Sequence, residues 1–308
     1  MITFDKLKLV ISRDYIQEED LDAYETTTNK DGEITRQTFT VNTPFSVRVE
    51  IVHTPRNKLY ENPHTVSIEF TSKILVSDSH LLISRETIDK CLESIKKTAG
   101  LTFDNKALIH HAEVVLCHVT RDETESPVNT IKKALKRQLN HNKWQTRKHP
   151  SGIELITRAQ SKKNRYRICI YDKYKELHKA SGKPFLQLLT SADVEKYKGI
   201  TRFELNLNCI YVIKKSLQIP DNKLITVLHG TDPLPDIYRT IFIPDATTTL
   251  KLSPYKYFQI KAILERYNHN IEAIEADIRS AIGRAPRKQI MDEYRQVSHH
   301  INNNNNNK

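Results

Sequence analysis

A tyrosine near the middle of the chain is a candidate nucleophile, because basic residues flank it. The stretch 165–177 reads RYRICIYDKYKEL, and its first part alternates as a β-strand does, with successive side chains on opposite faces. Tyr171 shares its predicted face with Arg167 and Lys173, whose charges can stabilise a tyrosinate or a phosphate, while Tyr166 falls on the apolar face. We expect Tyr171 to attack a phosphodiester. The alternative is a packing tyrosine with a solvated hydroxyl.

Two further predicted strands, 113–122 and 200–208, carry polar side chains at alternate positions. Their polar faces hold His118 and Asp122 in the first strand and Glu204 in the second. Imidazole and carboxylate oxygens suit Mg²⁺ or Mn²⁺, and such an ion polarises a scissile phosphate. We predict a metal held by Asp122 and Glu204 with His118 as the third ligand. The competing interpretation is a one-sided sheet whose outer face is merely solvated.

Other residues of the same types are weaker candidates for the site. Glu176 supplies a third carboxylate if the strand passes into a helix at Asp172, and Tyr174 then lies near Tyr171 as a second nucleophile. The adjacent pair His110 and His111 lacks the spacing that puts two imidazoles on one metal, so we interpret it as polar residues at a strand entry.

The charge of the chain indicates an anionic partner. Of 308 residues, 48 are Lys or Arg and 37 are Asp or Glu, which leaves a net charge of +11 and a pI near 9.3. Nucleic acid fits this charge better than a membrane, because the sequence shows no basic amphipathic anchor. Two basic segments, a helix and a hairpin tip, are predicted to bind the DNA backbone through Lys132, Lys133, Lys136, Arg137, Lys162, Lys163 and Arg165. The alternative for both segments is a solvated face.

Cysteine usage and hydropathy indicate a reducing compartment. Cys91, Cys117, Cys169 and Cys209 lie far apart without a Cys-x-x-Cys pair, so neither a zinc ribbon nor a disulfide framework is expected. The sequence shows no apolar run long enough for a signal peptide or a membrane span. We therefore expect a cytoplasmic protein without a membrane partner.

The pattern of apolar residues predicts an α+β protein. Strand-like alternation occurs at 2–11, 45–52, 66–75, 113–122, 152–158, 165–171 and 200–208, and helical spacing at 84–99, 128–139 and 254–301. We predict an N-terminal β-rich module at 1–105, a core with an antiparallel sheet at 106–225 and a helical C-terminal region at 226–301. The Asn-rich tail 302–308 is low in complexity and predicted to be disordered.

Four sequence strings together resemble a known family. FDKLKL, VTRD, IYDKYKEL and TRFELNL follow one another as in the rolling-circle replication initiators of filamentous phages, of the gene II protein type, and of Rep-trans plasmids. The resemblance covers residues 1–210 and implies an HUH-related nuclease core that binds a divalent metal, with Tyr171 as nucleophile and Glu204 as an active-site carboxylate. The family's acidic strand motif falls on His118 and Asp122. Many such initiators have Arg-x-Asp where this chain has Leu-Cys-His, so His118 either replaces a carboxylate ligand or only occupies its place.

The resemblance also implies a function and its partners. Proteins of this type nick one strand of origin DNA, single-stranded or supercoiled, form a 5′-phosphotyrosyl link and later religate the strand. A host helicase and polymerase act with them in the bacterial cytoplasm. Two alternatives remain open: a conjugative relaxase, which shares the chemistry but usually clusters several histidines, and a non-catalytic DNA-binding protein that binds or represses an origin.

Overall fold

The computed structural model describes residues 1–18, 20–54, 64–136, 144–158, 166–236, 254–283 and 288–305. The chain divides into two units, residues 1–135 with 141–238 and residues 136–140 with 239–308. The first unit carries all the predicted catalytic and metal-binding residues.

A large antiparallel sheet forms the framework of the first unit. The strands of the chain are β1 (Phe4–Ser12), β2 (Gln17–Glu18), β3 (Glu25–Thr28), β4 (Ile34–Val41), β5 (Val47–Val52), β6 (Thr65–Thr71), β7 (Leu101–Thr102), β8 (Glu113–Glu123), β9 (Trp144–His149), β10 (Gly152–Thr157), β11 (Arg167–Asp172) and β12 (Thr201–Leu207). Ten of them pair in the order β3-β4-β5-β6-β1-β8-β12-β11-β10-β9, while β2 and β7 form a separate pair. The coarse prediction of an α+β protein with an antiparallel sheet is confirmed.

The first unit also contains helices, some of which pack against this sheet. They are α1 (Ile88–Ala99), α2 (Asn105–His111), α3 (Pro127–Lys136), α4 (Lys173–Leu177), α5 (Lys183–Leu186), α6 (Ser191–Glu195), α7 (Ile210–Leu217) and α8 (Leu224–Leu228), with 3₁₀ segments at Arg13–Tyr15 and Ser72–Leu81. α1 packs against β5, and α7 and α8 pack against β8. α1 buries Cys91, Leu92 and Ile95 at the helical spacing that the sequence shows, and Gly100 ends it in the left-handed conformation.

Alternation along the central strands separates core from polar side chains. Cys117 and Val119 of β8 and Leu205 and Leu207 of β12 are fully buried on one face. The residues between them point to the other face, which is the polar face of the sheet. β1 lies between β6 and β8, so the predicted N-terminal module and core share one sheet and no boundary falls at residue 105. β1 provides the pairing partner that the long strand β8 needs on that side.

The second unit consists of helices in its described part. They are α9 (Pro254–Arg266), α10 (Ile271–Ile282) and α11 (Lys288–Asn305). Their own core contains Ile260, Leu264, Ile274, Tyr294 and Val297. α11 extends to Asn305, beyond the start of the tail predicted as disordered, because asparagine disfavours a helix only weakly. Among the helices of the described ranges, none is both long enough and apolar enough to span a membrane.

Candidate active site

Three neighbouring strands bring the predicted site residues together on the polar face. β12 lies between β8 and β11, and residues directly opposite one another in antiparallel strands share a face. The cross-strand rows are His118–Asn206–Arg167, Thr120–Glu204–Cys169 and Asp122–Arg202–Tyr171. The predicted grouping of these three strands on one polar face is therefore present in the structure.

The hydroxyl of Tyr171 ends a chain of hydrogen-bonding groups. It donates to Oε2 of Glu204 at 3.0 Å, and Oε1 of Glu204 lies 2.8 Å from Nδ1 of His118. The side chains of Glu204 and His118 are only 12% and 18% exposed. Burial and then the charge of Glu204 raise the pKa of Tyr171 well above its ordinary value, although Arg202 opposes them. The arrangement favours a protonated hydroxyl with a carboxylate in contact, not the free tyrosinate that the sequence suggested.

Arg167 and Lys173, which were expected to stabilise a tyrosinate, form ion pairs with carboxylates instead. The guanidinium of Arg167 donates to Glu154, which is buried. Nζ of Lys173 donates to Glu176 at 2.8 Å and lies 5.8 Å from the centre of the Tyr171 ring. In this arrangement the charges of Arg167 and Lys173 are largely compensated, and Lys173 contacts the ring of Tyr171, not its oxygen. Their catalytic roles stay predictions.

Asp122 binds an arginine and not the other two predicted metal ligands. Both of its oxygens accept hydrogen bonds from Arg202, at 2.7 Å each, and the third donor of Arg202 reaches Asp5 at 2.8 Å. Arg202 is 1% exposed, so this bidentate pair is a buried one. Asp122 takes this partner because it lies directly opposite Arg202, one row away from Glu204. The prediction of Asp122 as a metal ligand is corrected accordingly.

The described residues contain no group of three or more His, Cys, Asp or Glu side chains arranged to hold a metal ion. His118 and Glu204 still provide an imidazole and a carboxylate in contact. Mg²⁺ commonly takes one or two protein ligands and completes its shell with water and substrate phosphates. The carboxylate of Glu204 is a ligand of the kind that such an ion takes, but the described residues do not form the three-ligand site predicted from the sequence.

Several charged residues of the site were not predicted from the sequence. Asp5 also accepts a hydrogen bond from Ser72 at 2.7 Å, and Nζ of Lys73 lies 4.0 Å from Glu176. No pattern links Asp5 to Arg202 in the sequence, because 197 positions separate them. Glu176 was foreseen on the condition that a helix begins after Asp172, and the Asp172 side chain does accept a hydrogen bond from the backbone of α4.

The stability of the fold should decrease at acid pH because of Asp5. Burial raises its pKa, but the charges of Arg202 and Lys173 outweigh burial and hold the pKa below its ordinary value. A depressed pKa stabilises the fold above the unfolded-state value of about 3.9, and this stabilisation disappears as the pH falls through the folded-state value. Asp5→Asn should lower the free energy of unfolding at pH 7 by about 1.5–3 kcal/mol and flatten its decline between about pH 5 and pH 2.

Urea unfolding at several pH values measures this effect. Asp31→Asn is the matched control, since Asp31 is exposed in a turn. It should leave unchanged both the free energy of unfolding at pH 7 and its decline at acid pH. An Asp5→Asn protein with the wild-type acid profile would exclude Asp5 as the source of the sensitivity.

Tyr171 lines an open cleft of about 310 Å³ on the polar face. Glu154, Arg167 and Cys169 line it as well, and Gly152 of β10 lies directly opposite Tyr171. A Cβ on Gly152 would come within 2.2 Å of the Ile170 carbonyl oxygen and 2.6 Å of the Tyr171 Cβ. Only glycine therefore allows β10 to approach the tyrosine so closely.

The other tyrosines and the paired histidines take different positions. The Tyr174 ring of α4 packs on His178, the residue after this helix, at 4.2 Å between ring centres. The Tyr166 hydroxyl accepts from Ser216 of α7 at 3.5 Å, which places it on the helical side of the sheet as predicted. His110 and His111 end α2, and only Ala112 separates them from the start of β8 at Glu113, so they lie at a strand entry as predicted, although on a helix.

The residues predicted to bind the DNA backbone lie mostly outside the described part. Lys132 is exposed on α3. Lys133 and Lys136 belong to α3, but their side chains are not described. Arg137, Lys162, Lys163 and Arg165 fall outside the described residues, so their role stays a prediction.

Comparisons of the chain with protein-family models, with curated proteins and with solved structures find no match. The function of the protein is therefore inferred from the geometry of the polar face and from the residues that line it.

Proposed function

We propose that this protein nicks and rejoins one strand of origin DNA through Tyr171, in the manner of the rolling-circle initiators that its sequence resembles. The observation that carries the proposal is the contact of the Tyr171 hydroxyl with Glu204 and of Glu204 with His118, at an open cleft of a basic protein. In this proposal the polar face belongs to an HUH-related nuclease core, and a host helicase and polymerase act on the nicked DNA in the bacterial cytoplasm.

Glu204 is the base that the geometry supplies for the reaction. A tyrosine with a raised pKa is protonated at neutral pH, so its oxygen must lose a proton as it attacks. Oε2 of Glu204, at 3.0 Å, accepts that proton while the Tyr171 oxygen bonds to phosphorus. The bond from phosphorus to the 3′ oxygen breaks, and the leaving oxygen takes a proton from water. The products are a 5′-phosphotyrosyl link and a free 3′ hydroxyl.

The side chain of His118 holds Glu204 in place by its contact with Oε1. Bound there with phosphate oxygens, Mg²⁺ or Mn²⁺ would be held by His118 and Glu204 and would polarise the phosphodiester. The stored phosphotyrosyl ester allows the strand to be rejoined without ATP, because the 3′ hydroxyl can attack it in the reverse reaction.

A non-catalytic DNA-binding protein is the second candidate. The observation that favours it is the compensation of Arg167 and Lys173 by Glu154 and Glu176, which leaves Tyr171 without a free cation at its oxygen. In such a protein the polar face would bind origin DNA and the tyrosine would only contribute packing.

A covalent adduct distinguishes these two functions. The protein is incubated with supercoiled and single-stranded DNA of the replicon that encodes it, with Mg²⁺ or Mn²⁺, and then denatured. We expect a protein–DNA adduct that survives the denaturant and is absent when the metal is chelated. Binding in a gel-shift assay without any adduct, with either metal and either form of DNA, would favour the non-catalytic function.

A further inference from the structure

A larger groove lies beside the Tyr171 cleft on the same polar face. Its volume is about 630 Å³, and it shares Glu154 and Arg167 with the cleft. The polar side chains along it include Gln145, Arg147, Arg158, Arg167, Asn206 and Asn208. The proposed reaction uses none of these residues, so the groove can have a separate role in binding.

Asn206 is a buried residue of this groove with an unpaired acceptor. Its side chain is 6% exposed, and its Oδ1 has no hydrogen-bond partner among the residues that the structure describes. Most buried polar atoms of folded proteins are paired, because an unpaired one costs about 1–3 kcal/mol. A ligand with an N–H donor would satisfy this oxygen.

The charge of the groove favours an anionic ligand. Of its charged lining residues, Arg147, Arg158 and Arg167 face the single carboxylate Glu154, so three positive charges and one negative charge leave a net charge of +2. Glu154 already accepts from Arg167, whereas Arg147 lies 3.9 Å from it and is exposed. Among the described residues, Arg158 donates to a backbone oxygen, that of Trp144, at 3.4 Å, and pairs with no carboxylate. Guanidinium groups in this setting suit phosphate oxygens.

We propose that the groove binds one unpaired nucleotide of the DNA strand that Tyr171 cleaves, and that Asn206 accepts a hydrogen bond from the exocyclic amino group of its base. This inference rests on the proposed function and adds a residue that determines sequence specificity. Adenine, cytosine and guanine carry such an amino group, whereas thymine offers only the N–H of its ring, so we expect one position of the strand to discriminate against thymine. The nucleotide is taken as unpaired because the proposed reaction acts on a single strand, whose bases can enter a groove.

Selection from a randomised pool of single-stranded DNA tests the inference, with binding measured without divalent metal so that cleavage does not intervene. The wild-type protein should exclude thymine at one fixed position by about 5-fold or more. Asn206→Leu, which keeps the shape and removes the acceptor, should lose this preference. Asn206→Asp retains an acceptor and should keep it, although its charge weakens binding to every sequence. If Asn206→Leu does not fold, Asn206→Ala replaces it.

Two further variants separate the parts of the proposal. Ser67→Ala changes the same face of the sheet at β6, three strands from β12, and should leave the preference intact. Arg158→Gln should weaken binding to all sequences without altering the preference, as expected for a phosphate contact. The inference would be overturned if the Asn206→Leu variant kept the wild-type preference against thymine, or if the wild-type protein showed no such preference. In either case, adduct formation would still support the proposed function. Absence of both single-strand binding and adduct would overturn both.

Discussion

The Tyr171→Phe variant is expected to form no covalent adduct and to lose strand cleavage by about 10³-fold or more, while it still binds DNA. The substitution removes only the hydroxyl that contacts Glu204 and leaves the ring under Lys173. Glu204 keeps its contact with His118, so the fold should lose no more than the roughly 0.5–1.5 kcal/mol of one hydrogen bond. Adduct yield, cleavage rate and thermal unfolding measure the three effects separately.

Tyr174→Phe and Tyr166→Phe are the matched controls for this variant. Tyr174 packs on His178 and Tyr166 contacts Ser216, so neither hydroxyl shares the contact with Glu204. Both variants should form the adduct at the wild-type rate. Peptide mapping of the trapped adduct should return Tyr171. Recovery of Tyr174 in the adduct, or comparable cleavage by Tyr171→Phe, would assign the reaction to another residue.

Glu204→Gln should slow adduct formation by about 10²–10⁴-fold at neutral pH, the range for loss of a general base. Glutamine keeps the length of the side chain but cannot take the proton of Tyr171. Without a base the hydroxyl must ionise into solvent, and burial, the largest cause of its raised pKa, remains in the variant although the charge of Glu204 is gone. The rate of the variant should therefore rise about tenfold per pH unit between pH 7 and pH 9, more steeply than that of the wild-type protein.

Two carboxylates near Glu204 provide controls for this prediction. Glu176→Gln changes a residue that binds Lys173 and lines the same cleft, and it should retain the wild-type pH profile. Asp122→Asn weakens the pair with Arg202 and should lower stability while leaving the affinity for Mn²⁺ unchanged. If Glu204→Gln retained the wild-type rate and pH profile, Glu204 would not be the base. If the Asp122→Asn variant bound Mn²⁺ more weakly than the wild-type protein, Asp122 would be a metal ligand, as the sequence predicted.

The order and register of the strands could not be predicted from the sequence. Alternation says which side of a strand a residue occupies, but it does not say which strand lies beside it. β12 lies between β8 and β11, and β1 continues the same sheet on the other side of β8. The predicted N-terminal module and core therefore merge, an outcome that depends on pairing between distant segments.

The alternation of residues along each strand is enough to place Tyr171, His118 and Glu204 on polar faces, because a period of two assigns each side chain to one side of the sheet. The partners of their charges depend on the fold. The pair of Asp5 with Arg202 spans 197 positions, and Arg167 binds Glu154 on the neighbouring strand. Ion pairs and burial depend on distances between segments, which local periodicity does not contain. The direction in which the pKa of Tyr171 shifts follows from those distances, and it is the opposite of what the neighbouring cations in the sequence suggest.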